Sequence, residues 1–212
     1  MKDIKNIIFD FGGVLLNLDP SRTATCFAAL FGSQAAQVQA YLHLDNNNIF
    51  TDYEVGKIDT ATFVAAIQAA NPIPTTTEQI ETAWSAMLLD FPPQRLALLR
   101  ELKEAGYRLF LLSNINEIHL RDVRIIMENT LGLSDFDPLF EAVYYSHLIG
   151  HRKPEKATYD YVLQQAGIEA SESVFIDDTA SNLVGARQAG LHTIHHQANS
   201  DLNRRLKSYL EL

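Results

Sequence analysis

Ile7-Ile8-Phe9-Asp10-Phe11-Gly12-Gly13-Val14-Leu15 is the stretch that decides the fold. An apolar run ends in one carboxylate, and two glycines follow after a single phenylalanine. A run this apolar predicts a strand buried on both faces, the usual condition of strands in a parallel sheet. Ligands of open α/β sheets bind just past the carboxyl ends of such strands, which is where Asp10 falls. A carboxylate there can serve as covalent nucleophile, as metal ligand, or as both.

Further strand patterns appear at 108–113 (Arg-Leu-Phe-Leu-Leu-Ser), 142–146, 173–177 (Ser-Val-Phe-Ile-Asp) and, more weakly, 193–196 after Gly190. Helical patterns lie between them. Segment 93–105 opens on Pro93, carries apolar residues at helical spacing and stops at Gly106; 155–166 stops in the same way at Gly167, and 180–189 at Gly190. Strands alternating with helices predict βαβ units and a parallel sheet. The stretch from about 19 to 90 breaks this rhythm. It shows helical patterns at 24–31, 33–42, 60–70 and 77–88, punctuated by Asn71-Pro72-Ile73-Pro74-Thr75 and Asp90-Phe91-Pro92-Pro93, and no buried strand. A helical insertion is therefore expected after the first strand.

The 212 residues suffice for one domain plus such an insertion, and 47% hydrophobic with 20% charged residues is an ordinary globular composition. A net charge of −9 argues against nucleic-acid and anionic-membrane partners, while leaving room for a small anion held in a local cationic pocket. The single cysteine, Cys26, cannot form an internal disulfide. Met1-Lys2-Asp3-Ile4-Lys5 shows no signal-peptide stretch and no run is long enough to span a membrane, so a cytoplasmic location is expected.

Three strands end in groups suited to phosphoryl chemistry: Asp10, then Ser113-Asn114, then Asp177-Asp178. Between the second and third comes Gly150-His151-Arg152-Lys153-Pro154-Glu155, a basic pair at an expected helix start. In a parallel sheet these strand ends share one edge, so a nucleophile, a hydroxyl, an amide, a cation and an acidic pair can converge. Phosphoryl transfer needs such positioning and charge neutralisation.

These segments resemble the four motifs of the haloacid dehalogenase superfamily, in order and over essentially the whole chain. Ser113-Asn114-Ile115-Asn116 and Arg152-Lys153-Pro154-Glu155 are similar to the branch that contains α-glucose-1-phosphatase and the N-terminal phosphatase domain of soluble epoxide hydrolase. The resemblance implies a three-layer Rossmann-like α/β core (1–17 and 90–212) with a parallel sheet, and a helical cap (18–89) inserted after the first strand. It implies a Mg²⁺-dependent phosphatase that acts on a small phosphorylated metabolite, a sugar phosphate among the candidates, through an aspartyl phosphate on Asp10. Mg²⁺ would be held by Asp10, the Gly12 carbonyl, Asp177 and Asp178, with Asp178 favoured as the direct ligand and Asn182 steadying the site. Ser113 and Asn114 would hold phosphate, Lys153 would pair with Asp10 and the phosphate, and Glu54, in a turn of the cap, would reach the substrate.

The chain departs from the family at Gly12, where an aspartate usually shuttles protons to the leaving group and from the hydrolytic water. Glycine keeps the carbonyl ligand and removes the shuttle; general acid–base help is worth about 10²–10⁴-fold in rate. A water on the metal, Asp19 and Glu54 are the substitutes. Glycine at this position also admits a 2-haloacid dehalogenase, which needs no metal, and a degenerate phosphate-binding protein without turnover. Other residues have plainer readings. Ser113 can cap the helix after it, Arg152 reads as structural, and Trp84 with Ala83, Met87 and Leu88 reads as core. His119, His147 and His151 match no tight metal-ligand spacing.

Overall fold

The computed structural model describes residues 3–32, 48–71, 73–197 and 200–211. The helical pattern expected at 33–42 lies outside the described residues. Five strands, β1 (Asn6–Phe9), β2 (Arg108–Ser113), β3 (Ala142–Tyr145), β4 (Ser173–Asp177) and β5 (His192–His195), form one sheet in the order β3-β2-β1-β4-β5. All four pairings are parallel. The order reverses at β1, so that crevices open beside it at the carboxyl edge.

Helices α1 (Pro20–Phe31), α2 (Ile49–Glu54), α3 (Thr60–Ala70) and α4 (Thr77–Ser85) come after β1. Then come α5 (Pro93–Glu104), α6 (Glu117–Leu131), α7 (Ser146–Ile149), α8 (Lys156–Ala166), α9 (Ala180–Gln188) and α10 (Leu202–Leu210). Side chains alternate across the sheet, so one face gathers Ile7, Phe9, Leu109, Leu111, Val174 and Ile176 against Leu99 of α5, Val123 of α6 and Leu206 of α10. The other face joins Ile8, Phe110, Leu112 and Phe175 to Tyr159 and Val162 of α8 and Leu183 of α9. Each such side chain contributes about 1.5–3 kcal/mol by leaving water. Both faces are thus covered, which explains the unbroken apolar runs.

The helices after β1 pack around an aromatic cluster of their own, including Phe27, Phe31, Tyr53, Phe63 and Trp84, which Ile118 of α6 joins from the sheet side. The chain enters and leaves this region along paired segments: Asn17 N–H donates to Asp90 O (2.9 Å), Leu89 N–H to Asn17 O (3.1 Å) and Asp19 N–H to Met87 O (2.9 Å).

Several boundaries differ from the sequence reading for local reasons. Helix α1 starts at Pro20 rather than 24, because Asp19 caps it through the Ser21 N–H and proline suits the first turn. β3 ends at Tyr145, since Ser146 opens α7. β5 begins at His192, and α4 stops at Ser85, before the expected 88. Helices α2, α7 and α10 have no counterpart in the sequence reading, and α6, expected only as a helix after Ser113, starts later, at Glu117. The cap of α6 is Asn116, whose side chain accepts the His119 N–H, and not Ser113, which stays in β2.

Candidate active site

Strand register builds the site. Phe9 lies opposite Leu111 on β2 and Ile176 on β4, so the next residue along β1 brings Asp10 beside Asp177. The Asp10 N–H donates to Ile176 O at 2.9 Å, which continues the ladder to the edge. Lys153 arrives from the loop before α8. Its Nζ lies 2.6 Å from Asp10 Oδ1 and 2.8 Å from Asp177 Oδ2. Lys153 is only 1% exposed and Asp177 is fully buried, so the ammonium is a buried bridge between two carboxylates.

Each carboxylate is further organised. Asp10 Oδ1 accepts the Phe11 N–H at 2.6 Å. Asp177 accepts the Thr179 N–H at 2.7 Å and the Asn182 amide at 3.0 Å on both oxygens. Asp178 is more exposed and takes a 3.2 Å bond from Thr179 Oγ1. Gly13, at φ 77°, lies against it, and a Cβ there would fall 2.2 Å from Asp178 Oδ2. Oxygens of Asp10, Asp177 and Asp178 all come within 4.8 Å of one another. An oxygen-only donor set beside glycine backbone suits a hard cation such as Mg²⁺.

Burial pushes the Asp10 carboxyl up to about 8, with Lys153 pulling down and the Asp177 charge pushing up. Burial opposes the Lys153 ammonium, but Asp10 and Asp177 outweigh it and hold its pKa above that of an ordinary lysine. Burial also raises Asp178, aided by the Asp177 charge. A divalent cation at this trio would supply positive charge that opposes the upward shifts of Asp10 and Asp178 and would offset the charge of a phosphate.

Asn114 and Lys153 are locked together. Lys153 N–H donates to Asn114 Oδ1 (2.9 Å), and Asn114 Nδ2 donates to Lys153 O (3.0 Å). Asn114 therefore positions the lysine. Ser113, 3% exposed at the end of β2, lines a chamber beside Gly12. Behind the lysine, Gly185 of α9 meets the Pro154 carbonyl so closely that a Cβ would lie 2.0 Å from it.

Glu54 reaches this chamber from the end of α2 and pairs with Arg152 at 2.8 Å. Burial raises its pKa against the pull of Arg152. Asp19 instead caps α1 through Ser21. His119 stands in the chamber wall, a position that its sequence neighbours do not disclose. Its Nε2–H donates to Trp84 O at 3.0 Å, which leaves Nδ1 to accept from Asn116 Nδ2 at 3.2 Å. Burial depresses its pKa to about 4, so it stays neutral. Its ring stacks on Trp84, centroids 4.9 Å apart, and Trp84 is both core and chamber wall. His147 is turned to the main chain, its Nδ1 2.7 Å from Ile115 O.

A parallel sheet whose carboxyl edge presents a buried aspartate–lysine pair and an acidic trio is the layout of a metal-assisted hydrolase. The haloacid dehalogenase-like hydrolases match residues 4–190, and the chain belongs to that family. It is 26% identical over 205 residues to a D-ribitol-5-phosphate phosphatase of Bacteroides thetaiotaomicron, covering 96% of this chain and 97% of the relative. A sesquiterpene phosphatase of Aspergillus oryzae is 26% identical over 191 residues, covering 90% and 89%. A solved haloacid dehalogenase family enzyme of Bacteroides thetaiotaomicron, in complex with magnesium and inorganic phosphate, superposes with a TM-score of 0.83 at 33% identity, over 95% of this chain and 98% of that one. The donor set here and that complex agree on Mg²⁺ as the cofactor. Among the described residues no helix is long and apolar enough to cross a membrane.

Proposed function

We propose that the chain is a Mg²⁺-dependent phosphomonoesterase of a small phosphorylated metabolite, with residues 18–89 as a cap over a core of 1–17 and 90–212. The observation that carries this is the buried Lys153 held between Asp10 and Asp177 within the acidic trio. Asp10 attacks phosphorus; its Oδ–P bond forms as the ester P–O bond breaks. The leaving oxygen takes a proton, and water then attacks phosphorus to release phosphate and regenerate Asp10. Lys153 orients Asp10 and offsets phosphate charge, while Ser113 donates to a phosphate oxygen. Asp178 and the Gly12 carbonyl are the ligands with least competition for Mg²⁺, and Asp177 organises them. Glu54, raised by burial and facing the chamber, is the acid for the leaving oxygen in place of the residue missing at Gly12.

The ribitol phosphatase relative supports a polyol or sugar phosphate as substrate, and the sesquiterpene phosphatase supports an apolar one. A cytoplasmic site of action, with no nucleic-acid or membrane partner, completes the reading. The test is a panel of phosphate monoesters assayed with Mg²⁺ and with EDTA, with Asp10→Asn as control. Turnover is expected only with Mg²⁺ and intact Asp10. Activity that survives Asp10→Asn refutes the mechanism, metal-independent halide release from 2-haloacids favours the dehalogenase, and phosphate binding without turnover favours the binding protein.

A further inference from the structure

The chamber beside Gly12 and Ser113 encloses about 120 Å³. It lies where the alcohol part of a phosphate ester would sit, so assigning that alcohol rests on the phosphatase reading. Leu16, Leu18, Met87, Leu88, Ile115 and Val123 supply most of its described wall, together with Phe11 and Trp84. The polar groups among the described lining residues are largely engaged elsewhere. Both nitrogens of His119 are bonded, to Trp84 O and to Asn116. The Asn114 amide is clamped on the Lys153 backbone. Glu54 is tied to Arg152, and Trp84 Nε1 is sealed from solvent without a partner. Among the described residues no lysine or arginine lines the chamber.

A polyol brought into this space would bury several hydroxyls with little to bond, and each unpaired buried polar group costs about 1–3 kcal/mol. A carboxylate or second phosphate would find no cation among the described lining residues. An apolar group meets none of these costs and gains from leaving water. A cavity of about 150 Å³ lined by apolar side chains accepts benzene, so this one holds a group of about that size or slightly smaller.

We propose that the leaving group is a compact, uncharged, largely apolar alcohol of prenyl or aryl type, of about five to seven non-hydrogen atoms by that comparison. Glu54, whose Oε2 holds Arg152, meets the alcohol oxygen through its other carboxyl oxygen. Longer apolar chains extend through the open side of the chamber.

The test has two arms, both with Mg²⁺. In the first, kcat/KM is compared for benzyl phosphate and 3-methylbut-3-enyl phosphate against ribitol 5-phosphate and phosphoglycolate. The apolar esters are expected to lead by at least tenfold, and Leu88→Asn is expected to narrow that lead. Equal or better turnover of the polyol or carboxylated ester overturns the proposal while leaving the phosphatase reading intact. In the second, the affinities of benzylphosphonate and 2,3-dihydroxypropylphosphonate are measured by calorimetry. Benzylphosphonate is expected to bind at least tenfold tighter, and equal or reversed affinities overturn the proposal. If no ester turns over, the phosphatase reading fails and these affinities still decide the chemistry of the chamber.

Discussion

Replacing Lys153 with methionine separates what the buried ammonium does for folding from what it does for chemistry. Methionine keeps an unbranched stem and deletes the ammonium, with its hydrogen bonds and its place over the Phe175 ring, 5.3 Å from the centroid. Asp177 then remains as a buried carboxylate whose counter-ion is gone, beside the buried Asp10 carboxyl. Breaking a buried pair by removing one partner costs about 3–5 kcal/mol. For a chain of this length each kcal/mol moves Tm by roughly 2–4 °C, so Lys153→Met is expected to melt roughly 6–20 °C lower in EDTA. Mg²⁺ held by the folded acidic trio, as proposed, would restore part of the loss by mass action, more in the variant than in the parent. Catalysis is expected to fall about 10²–10³-fold even with saturating Mg²⁺, as for loss of a preorganised electrostatic group. Lys156→Met is the control: its ion pair with Asp160 is an exposed i,i+4 contact worth only about 0.3–0.5 kcal/mol. Calorimetric or dichroism melts with EDTA and with Mg²⁺ read the effect. A Lys153→Met protein as stable in EDTA as the parent refutes the bridge.

Gly12 does not have a positive φ, and a Cβ there meets only the end of the Leu18 side chain, 2.4 Å from Cδ1. Gly12→Asp combined with Leu18→Ala is therefore expected to fold and to raise kcat about tenfold or more by supplying the missing acid, whereas Gly12→Asp alone gains less; a well-folded, Mg²⁺-binding double variant with no gain in rate counts against that role. Gly13→Ala places a methyl group against Asp178 at an unfavourable φ, and at least a tenfold rise in the Mg²⁺ concentration for half-maximal activity is expected, so an unchanged Mg²⁺ titration would contradict Asp178 as ligand. His119 is neutral in the fold down to about pH 4 but takes a proton near 6.5 when unfolded. The unfolded state thus binds more protons between these values, and stability present above 6.5 falls as pH drops, by about 2 kcal/mol at pH 5. Denaturant titrations at pH 7 and pH 5 should show that loss in the parent and a smaller one in His119→Gln, and equal losses would remove His119 from the account.

What was legible in the sequence was what short patterns encode. The apolar run before Asp10, the Ser-Val-Phe-Ile-Asp strand and the glycine stops located the sheet and the family, because a strand buried on both faces needs an unbroken apolar stretch. The pairing of Lys153 with Asp177 was not legible. It depends on β1 and β4 lying in one register, which no local pattern states. Asn114 read as a phosphate contact because an amide after a strand-end serine suits either role, and only the fold shows it clasping the Lys153 backbone. Helix α6 carried its own signals, Asn116 and Glu117 at the start and Gly132 in a left-handed stop at φ 65°, but a serine at the end of β2 suits a cap as well as Asn116 does. The tie between Glu54 and Arg152 joins an inserted helix to a core loop and has no sequence signature at all.

Gly56 lies just past Glu54, and it rests directly on the backbone of His147, with room for no Cβ: one would lie 2.1 Å from the His147 carbonyl oxygen. Two main chains thus touch with no side chain as a spacer. The spacing of the inserted helices from the sheet is therefore gauged at this point by bare backbone, and a single methyl group acts as a shim. Residue 56 is no member of the acidic trio, yet a graded series of side chains there would prise the chamber mouth open by increments, giving an engineer control of access while the reacting groups stay untouched.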